Sequence, residues 1–442
     1  MIDIKKQKFV LPSVLILLFI FEYLVSQTLK SFGDEYISLA SNYGFFTQLN
    51  FDAGFDNGGS YGVELTSGPI SALGGVVGWI LTKNLLIARF FNFLWVFSLQ
   101  IVLIYIVKKY YEINLKNYLL LSSLLFVIIP WQFGTLYMLG EVPSTIIFFY
   151  SILLFPKNRK FSIILFSISI IYGKLILAIM FLVFYISYVL INQQFRNIHV
   201  DIFYFSIPLF LWLFFVFLFY EKGNIFEYVQ NLFEFNVLNN RSVGIKDSPL
   251  SFIDYINSFR SSEVVNWNIA DILRILISPL LFNVILLISK NKVSNELSRL
   301  FIPILFSTTV HYLWFWLMSP TKWIRYSQHF VMVGIMLILF LLSTEGIKFN
   351  EKINSFGIVI YLSLFLNSSL LIILTIFFAF YYFYKNSNLS NGLIVNLITI
   401  SFILNLINGI YETRSKTIYN FEFNYCEEQL DTKLCWEEYK NQ

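Results

Sequence analysis

The chain has 442 residues, 57% of them hydrophobic and only 13% charged, with a mean hydropathy of +0.68. Soluble domains carry about a quarter charged residues, so a soluble enzyme is excluded. The net charge of +4 is no footprint for nucleic acid either, because its lysines and arginines are scattered over short segments between apolar runs. Several of those runs approach the roughly 20 residues that cross a bilayer, and the composition specifies an all-α polytopic membrane protein.

Lys5, Lys6 and Lys8 precede the first apolar run, 9–29. They place the N-terminus in the cytoplasm, with the first helix leading outward. No small-residue cleavage site follows that run, so it reads as a helix and not as a signal peptide. Residues 30–69 come next and form an external loop. Five acids (Asp34, Glu35, Asp52, Asp56 and Glu64) stand in it against one base, Lys30. Within this loop 34–49 reads as a short interfacial helix, closed by the turn-rich AGFDNGGSYG segment. Residues 70–81 form a second short apolar helix with three glycines, too short to span and placed in the interface.

Spanning helices are expected at about 87–107, 119–134 and 144–155, the last two joined by an external turn that holds Glu141 and Pro143. The run 161–191 is apolar except at Gly173-Lys174. One long helix would bury Lys174 in the membrane, at about 2.5–3.5 kcal/mol. Two short helices with Lys174 at their outer turn avoid that cost, and the hairpin is preferred. A helix at 201–220 then leads to the polar stretch 221–271, whose NIFEYVQNLFEF and SFIDYINSF patterns suit amphipathic surface helices. Further spans fall at about 272–289, 300–318 and 330–343. The remainder, 353–384 and 393–411, fits either two helices or three.

This gives about 12–13 transmembrane helices in one membrane domain, 1–410, with a polar tail, 411–442. The only cysteines, Cys426 and Cys435, lie in that tail. They match no zinc spacing and form one disulfide if the tail faces an oxidising compartment. The side of the tail stays open.

Adjacent carboxylates beside a membrane span, in a chain poor in charge, point to chemistry at Asp34 and Glu35. Transfer of a sugar to an acceptor hydroxyl needs a carboxylate that takes the proton as the anomeric carbon is attacked. A polar pocket against the membrane keeps a lipid-phosphate leaving group within reach. Arg325, with Lys322, belongs to KWIRYSQHF at the expected outer end of a helix. A guanidinium there can grip a phosphate through two parallel hydrogen bonds, or anchor the interface together with Trp323 and Tyr326. Asp52, Asp56 and Glu64 suit either a divalent cation or a solvated loop. His311 and His329 are too far apart in sequence to read as a metal site, and Glu22 in the first helix suits either a place facing the cavity or a pairing within the bundle.

The order of these segments resembles the GT-C superfamily of polyprenyl-phosphate-dependent glycosyltransferases, notably aminoarabinose transferases and protein O-mannosyltransferases. The resemblance rests on GDEY at 33–36, TSGPISALGGVVGWI at 66–80 and LLIARFFNFLWVF at 85–97. In that family an acidic pair after the first helix is followed by a Pro-containing interfacial helix, an Ala-Arg pair and the second helix. The likeness covers about 10–180 and the Arg325-Tyr326 region. The family often has Pro-Pro or His-Pro where this chain has Gly68-Pro69.

The resemblance implies a GT-C-like bundle with Asp34 as general base and Glu35 as its neighbour or a metal ligand. It implies Lys174 on the donor phosphate, joined by Arg325 and Lys322, and Glu141, Tyr326, Glu64 and Arg89 on the substrate side. Arg89 can equally pair with a loop acid and fix the interfacial helix. The implied partners are a polyprenyl-phosphate sugar donor, a glycan, lipid or protein acceptor, and the bilayer. Low charge with abundant Ile, Phe, Asn and Lys suits a bacterial inner membrane, with the site expected to face outward. Two rival readings are an O-antigen polymerase or ligase, using Arg241 and Arg260, and a secondary transporter. The acidic first loop argues against the former. Uncharged helix centres and the absence of paired halves argue against the latter.

Overall fold

The computed structural model describes residues 7–28, 33–49, 68–220, 224–233, 269–289, 293–317, 327–345, 347, 352–366, 368–385 and 391–415. Within them the chain is all-helical; the only β feature is an isolated bridge between Ile113 and Thr344. The helices are α1 (Gln7–Thr28), α2 (Gly33–Gln48), α3 (Leu73–Thr82), α4 (Leu85–Lys108), α5 (Leu115–Leu124), α6 (Ile129–Leu136), α7 (Glu141–Leu154), α8 (Arg159–Ile171) and α9 (Leu177–Asn192). They continue as α10 (Ile198–Phe219), α11 (Ile225–Phe233), α12 (Ile269–Ser289), α13 (Asn295–Leu317), α14 (Gln328–Ser343), α15 (Lys352–Ser363), α16 (Ser369–Lys385) and α17 (Asn391–Ser415). By length and composition α4, the stretch 195–219 and α13 are each long and apolar enough to cross a membrane. The other apolar stretches, among them Leu11–Gln27, Ile275–Ser289 and Ile394–Ile410, run to 10–17 residues.

Two helices form the axis of the bundle. Every residue of α7 and every residue of α14 is buried, and the main apolar core gathers around them. With no water to compete inside a bilayer, side-chain hydrogen bonds across helices are retained where small polar residues face a neighbour. Ser162 Oγ donates to the Ser151 carbonyl at 2.7 Å, Ser307 Oγ to that of Met180 at 2.8 Å, and Gln100 Nε2 to that of Ser122 at 3.0 Å. The Tyr118 and Tyr150 hydroxyls meet at 3.0 Å between α5 and α7.

Asparagine caps start several helices. Asn84 Oδ1 accepts from the Leu86 and Ile87 amides at 2.9 and 3.2 Å, and Asn158 Oδ1 from that of Phe161 at 3.3 Å. Each satisfies amides that the first turn leaves without an intrahelical partner. The 161–191 run is indeed a hairpin: α8 ends at Ile171, α9 begins at Leu177, and Lys174 lies in the turn.

The expected single helix 119–134 is broken. α5 passes through a short 3-10 turn to Ile128, whose backbone is extended at ψ 139°, and α6 begins anew. Pro130 supplies no amide and disfavours helical geometry just before it, so it suits the start of a helix and not its middle. The 353–384 run also divides, into α15 and α16, on either side of Asn367.

Candidate active site

Four segments meet at one end of the bundle: the loop 68–72, the turn 137–141, the turn 172–176 and the first turn of α14. The Gly68 amide donates to the Gly173 carbonyl at 2.9 Å, and the Ile70 amide to that of Tyr172 at 3.1 Å. A Cβ on Gly68 would stand 2.3 Å from the Tyr172 carbonyl carbon, so only glycine permits this approach. Gly140 has φ +85°, the left-handed region that glycine adopts without strain. A Cβ there would meet Ser71 Oγ at 2.2 Å and Lys174 Cε at 3.2 Å. Trp95 Nε1 donates to the Ile70 carbonyl at 3.0 Å, tying the loop down onto α4.

α2 lies against this assembly. Ser38 Oγ donates to the Met138 carbonyl at 2.5 Å. Glu35, fully buried, meets fully buried Arg89 of α4 through two parallel bonds: Nε to Oε1 at 2.6 Å and Nη2 to Oε2 at 2.7 Å. Arg89 Nη1 also donates to the Ser26 carbonyl of α1 at 3.2 Å, and the guanidinium lies 5.4 Å from the Tyr137 ring centre. One guanidinium therefore joins α1, α2, α4 and the 137–141 turn. Arg89 thus makes the pairing with a loop acid that its sequence context allowed. With both carboxylate oxygens of Glu35 taken by Arg89, the geometry does not suit Glu35 as a metal ligand. Among the described residues no three His, Cys, Asp or Glu side chains come together as a metal-binding group.

Glu141 is the first residue of α7, directly after Gly140, where a carboxylate is favoured by the exposed amides of the helix start. Its Oε1 lies 3.4 Å from Lys174 Nζ; Glu141 is buried and Lys174 mostly so. The lysine and the acid read separately from the sequence are therefore an ion pair. One turn along α7, Thr145 Oγ1 donates to the Glu141 carbonyl at 2.6 Å and contacts His329 Nδ1 at 2.7 Å. The His329 and His311 rings lie edge to face with centres 5.5 Å apart.

Asp34 is the second residue of α2, next to the anchored Glu35; its side chain lies outside what the structure describes, as do Asp52, Asp56, Glu64, Lys322, Arg325 and Tyr326 entirely. The structure adds residues that the sequence did not single out as a group: Ser71, Thr145, His311 and His329. His311 and His329 belong to different helices, and no spacing along the chain signals that they meet. Glu22, one helical turn from Ser26 on α1, is buried and accepts a hydrogen bond from Gln132 Nε2 at 3.3 Å, so it is paired within the bundle.

No protein-family model matches the chain, and no curated protein matches its sequence. Among solved structures, the crystal structure of ArnT from Cupriavidus metallidurans in the apo state is similar, with a TM-score of 0.52 over 92% of this chain and 78% of that one. The two sequences are 10% identical, so the likeness is one of fold. In architecture the chain is similar to ArnT, and the order of its sequence motifs points the same way.

Proposed function

We propose that the chain is a membrane glycosyltransferase that moves a sugar from a polyprenyl-phosphate-linked donor to a glycan, lipid or protein acceptor. In this reading it works at the outer face of a bacterial inner membrane. The observation that carries the proposal is the gathering, at one bundle end, of the start of α2, the Glu35–Arg89 anchor and the Glu141–Lys174 pair. The ArnT-like fold supports it.

Asp34 takes the proton of the acceptor hydroxyl while that oxygen attacks the anomeric carbon. The bond from the anomeric carbon to the phosphate oxygen breaks, and its electron pair leaves with the lipid phosphate. Lys174, with Lys322 and Arg325, offsets the charge that develops there. By the family resemblance, direct attack inverts the anomeric centre. Glu35 and Arg89 position α2, and through it Asp34. A divalent cation, if used, would rest on the loop acids Asp52, Asp56 and Glu64, and no step above depends on it.

The test is sugar transfer by Asp34→Asn at matched abundance in membranes. A properly folded variant with transfer lowered about 10²- to 10⁴-fold supports Asp34 as base. Full activity removes this mechanism and turns attention to Glu141.

A further inference from the structure

Beyond the phosphate end, the bundle holds a pair of histidines that the mechanism above does not use. His311 of α13 and His329 of α14 are both fully buried, in a region otherwise lined by Phe330 and Trp314. Among the described residues, three of their four ring nitrogens, Nδ1 and Nε2 of His311 and Nε2 of His329, make no hydrogen bond. A buried polar atom left in that condition costs about 1–3 kcal/mol, and native interiors retain such atoms where they serve a ligand or a bound water.

The fourth nitrogen fixes the chemistry of its ring. Thr145 has one hydroxyl proton, and it goes to the Glu141 carbonyl. The Thr145 oxygen can therefore only accept from His329, which puts the proton of a neutral ring on Nδ1 and leaves Nε2 as an acceptor. The pair also has a definite place. Thr145 is four residues beyond Glu141, so the imidazoles sit one helical turn, about 5.4 Å, along α7 from the acid that pairs with Lys174. His329 stands next to Thr145 at 2.7 Å, and His311 lies beyond it, with ring centres 5.5 Å apart.

We propose that His311 and His329 form a recognition subsite for the sugar of the lipid-linked donor, His329 Nε2 accepting a hydrogen bond from a sugar hydroxyl. The assignment rests on the reading of Lys174 as the phosphate-binding group. Neutral hydroxyls, which donate and accept, match one fixed acceptor beside a second ring whose two nitrogens are uncommitted. A metal ion is the poorer match, because among the described residues no third ligand joins the pair. Both rings are closed off in this structure, so occupation requires side-chain rearrangement around them.

The test measures binding of undecaprenyl phosphate, and of the same lipid carrying glucose, mannose or galactose, to the full chain in nanodiscs. The wild type is expected to prefer at least one glycosylated lipid to the bare one by 10-fold or more. His311→Phe and His329→Phe abolish that preference and leave the affinity for bare undecaprenyl phosphate within about twofold. Because phenylalanine removes only unpaired nitrogens at His311, His311→Phe should not melt earlier than wild type, whereas His329→Phe also loses the Thr145 contact and should melt slightly earlier. Thr145→Val keeps the ring but frees its tautomer, and is expected to lose part of the preference. A wild type that binds all four lipids equally overturns the subsite alone. So does a preference unchanged in the variants, which would mean the rings hold only a water. Chelator-reversible zinc binding that the variants lose overturns it in favour of a metal site. Failure of bare undecaprenyl phosphate to bind overturns the lipid-donor reading, and the subsite with it.

Discussion

The Glu35–Arg89 pair shows how neighbouring residues divide their work. Asp34 and Glu35 are alike as letters, two acids after the first helix, and only the family resemblance gives them different roles. On a helix they point about 100° apart, and Glu35 turns into the packing against α4, where Arg89 meets both of its oxygens. A guanidinium with no exposed surface is stabilised only while its charge is matched, and removing one partner of such a pair costs about 3–5 kcal/mol. Arg89→Met should therefore destabilise the chain by that amount in a denaturation titration. The double replacement Glu35→Leu with Arg89→Met, apolar on both sides, should recover most of it. A double variant no more stable than the single one would mean that the Ser26 and Tyr137 contacts of Arg89, and not the charge pair, hold α2.

Among the elements, the α3–α4 hairpin explains glycines that composition could only count. Residues 70–81 read from sequence as a short interfacial helix with three glycines. In the fold Gly74, Gly75 and Gly78 are the surface on which α3 meets α4 and the 137–141 turn. A Cβ on Gly74 would stand 2.4 Å from the Phe91 carbonyl oxygen, and one on Gly78 2.9 Å from Ala88 Cα. Small residues four apart allow helices to pack backbone to backbone. That partner is a tertiary fact, so the pattern was visible and its purpose was not. The break at Pro130 had a local cause and was legible, yet an apolar run on both sides outweighed it in the reading.

The turn that begins α7 depends on Gly140 for both its conformation and its room. Gly140→Ala forces a side chain into the left-handed region and into Ser71 at once, which should cost about 1–3 kcal/mol. It should also displace Lys174, whose Cε is the next neighbour. The variant is expected to melt earlier and to raise the KM for the lipid-linked donor. An unchanged KM with a lowered melting temperature would separate the turn from donor binding.

At the scale of the whole molecule, helix length sets where the site lies. α7 has 14 residues and α8 has 13. At about 1.5 Å of rise each, they extend only about 20 Å, against about 30 Å of hydrocarbon. With their other ends at the basic segment 157–160, the turns holding Glu141 and Lys174 stop short of the far surface. On the proposed function, that position would let a lipid phosphate and a lysine meet out of bulk water. The sequence disclosed this indirectly, through the refusal to run one helix across Lys174.

The opposite end has another task. There Arg159 grips Asp201 through Nε at 2.9 Å to each oxygen and through Nη2 at 2.5 Å, and Tyr185 donates to the same carboxylate at 2.7 Å. Gln194 joins Arg159, and Lys157 pairs with Glu296 nearby. These contacts clamp α8, α9, α10 and α13 together far along the helices from Lys174. If one end holds the bundle and the other performs transfer, loss of a charge should read differently at each. Asp201→Asn should cost about 2–4 kcal/mol, near the lower range for a buried pair because Arg159 keeps some solvent contact. Transfer per folded molecule should be unchanged. Lys174→Met should lower transfer at least 10-fold even where folded protein is equal to wild type. The two are compared by normalising transfer to the folded fraction in the same membranes. A transfer defect in Asp201→Asn that survives this normalisation would mean that the two ends are mechanically coupled, with the hairpin α8–α9 as the element that joins them.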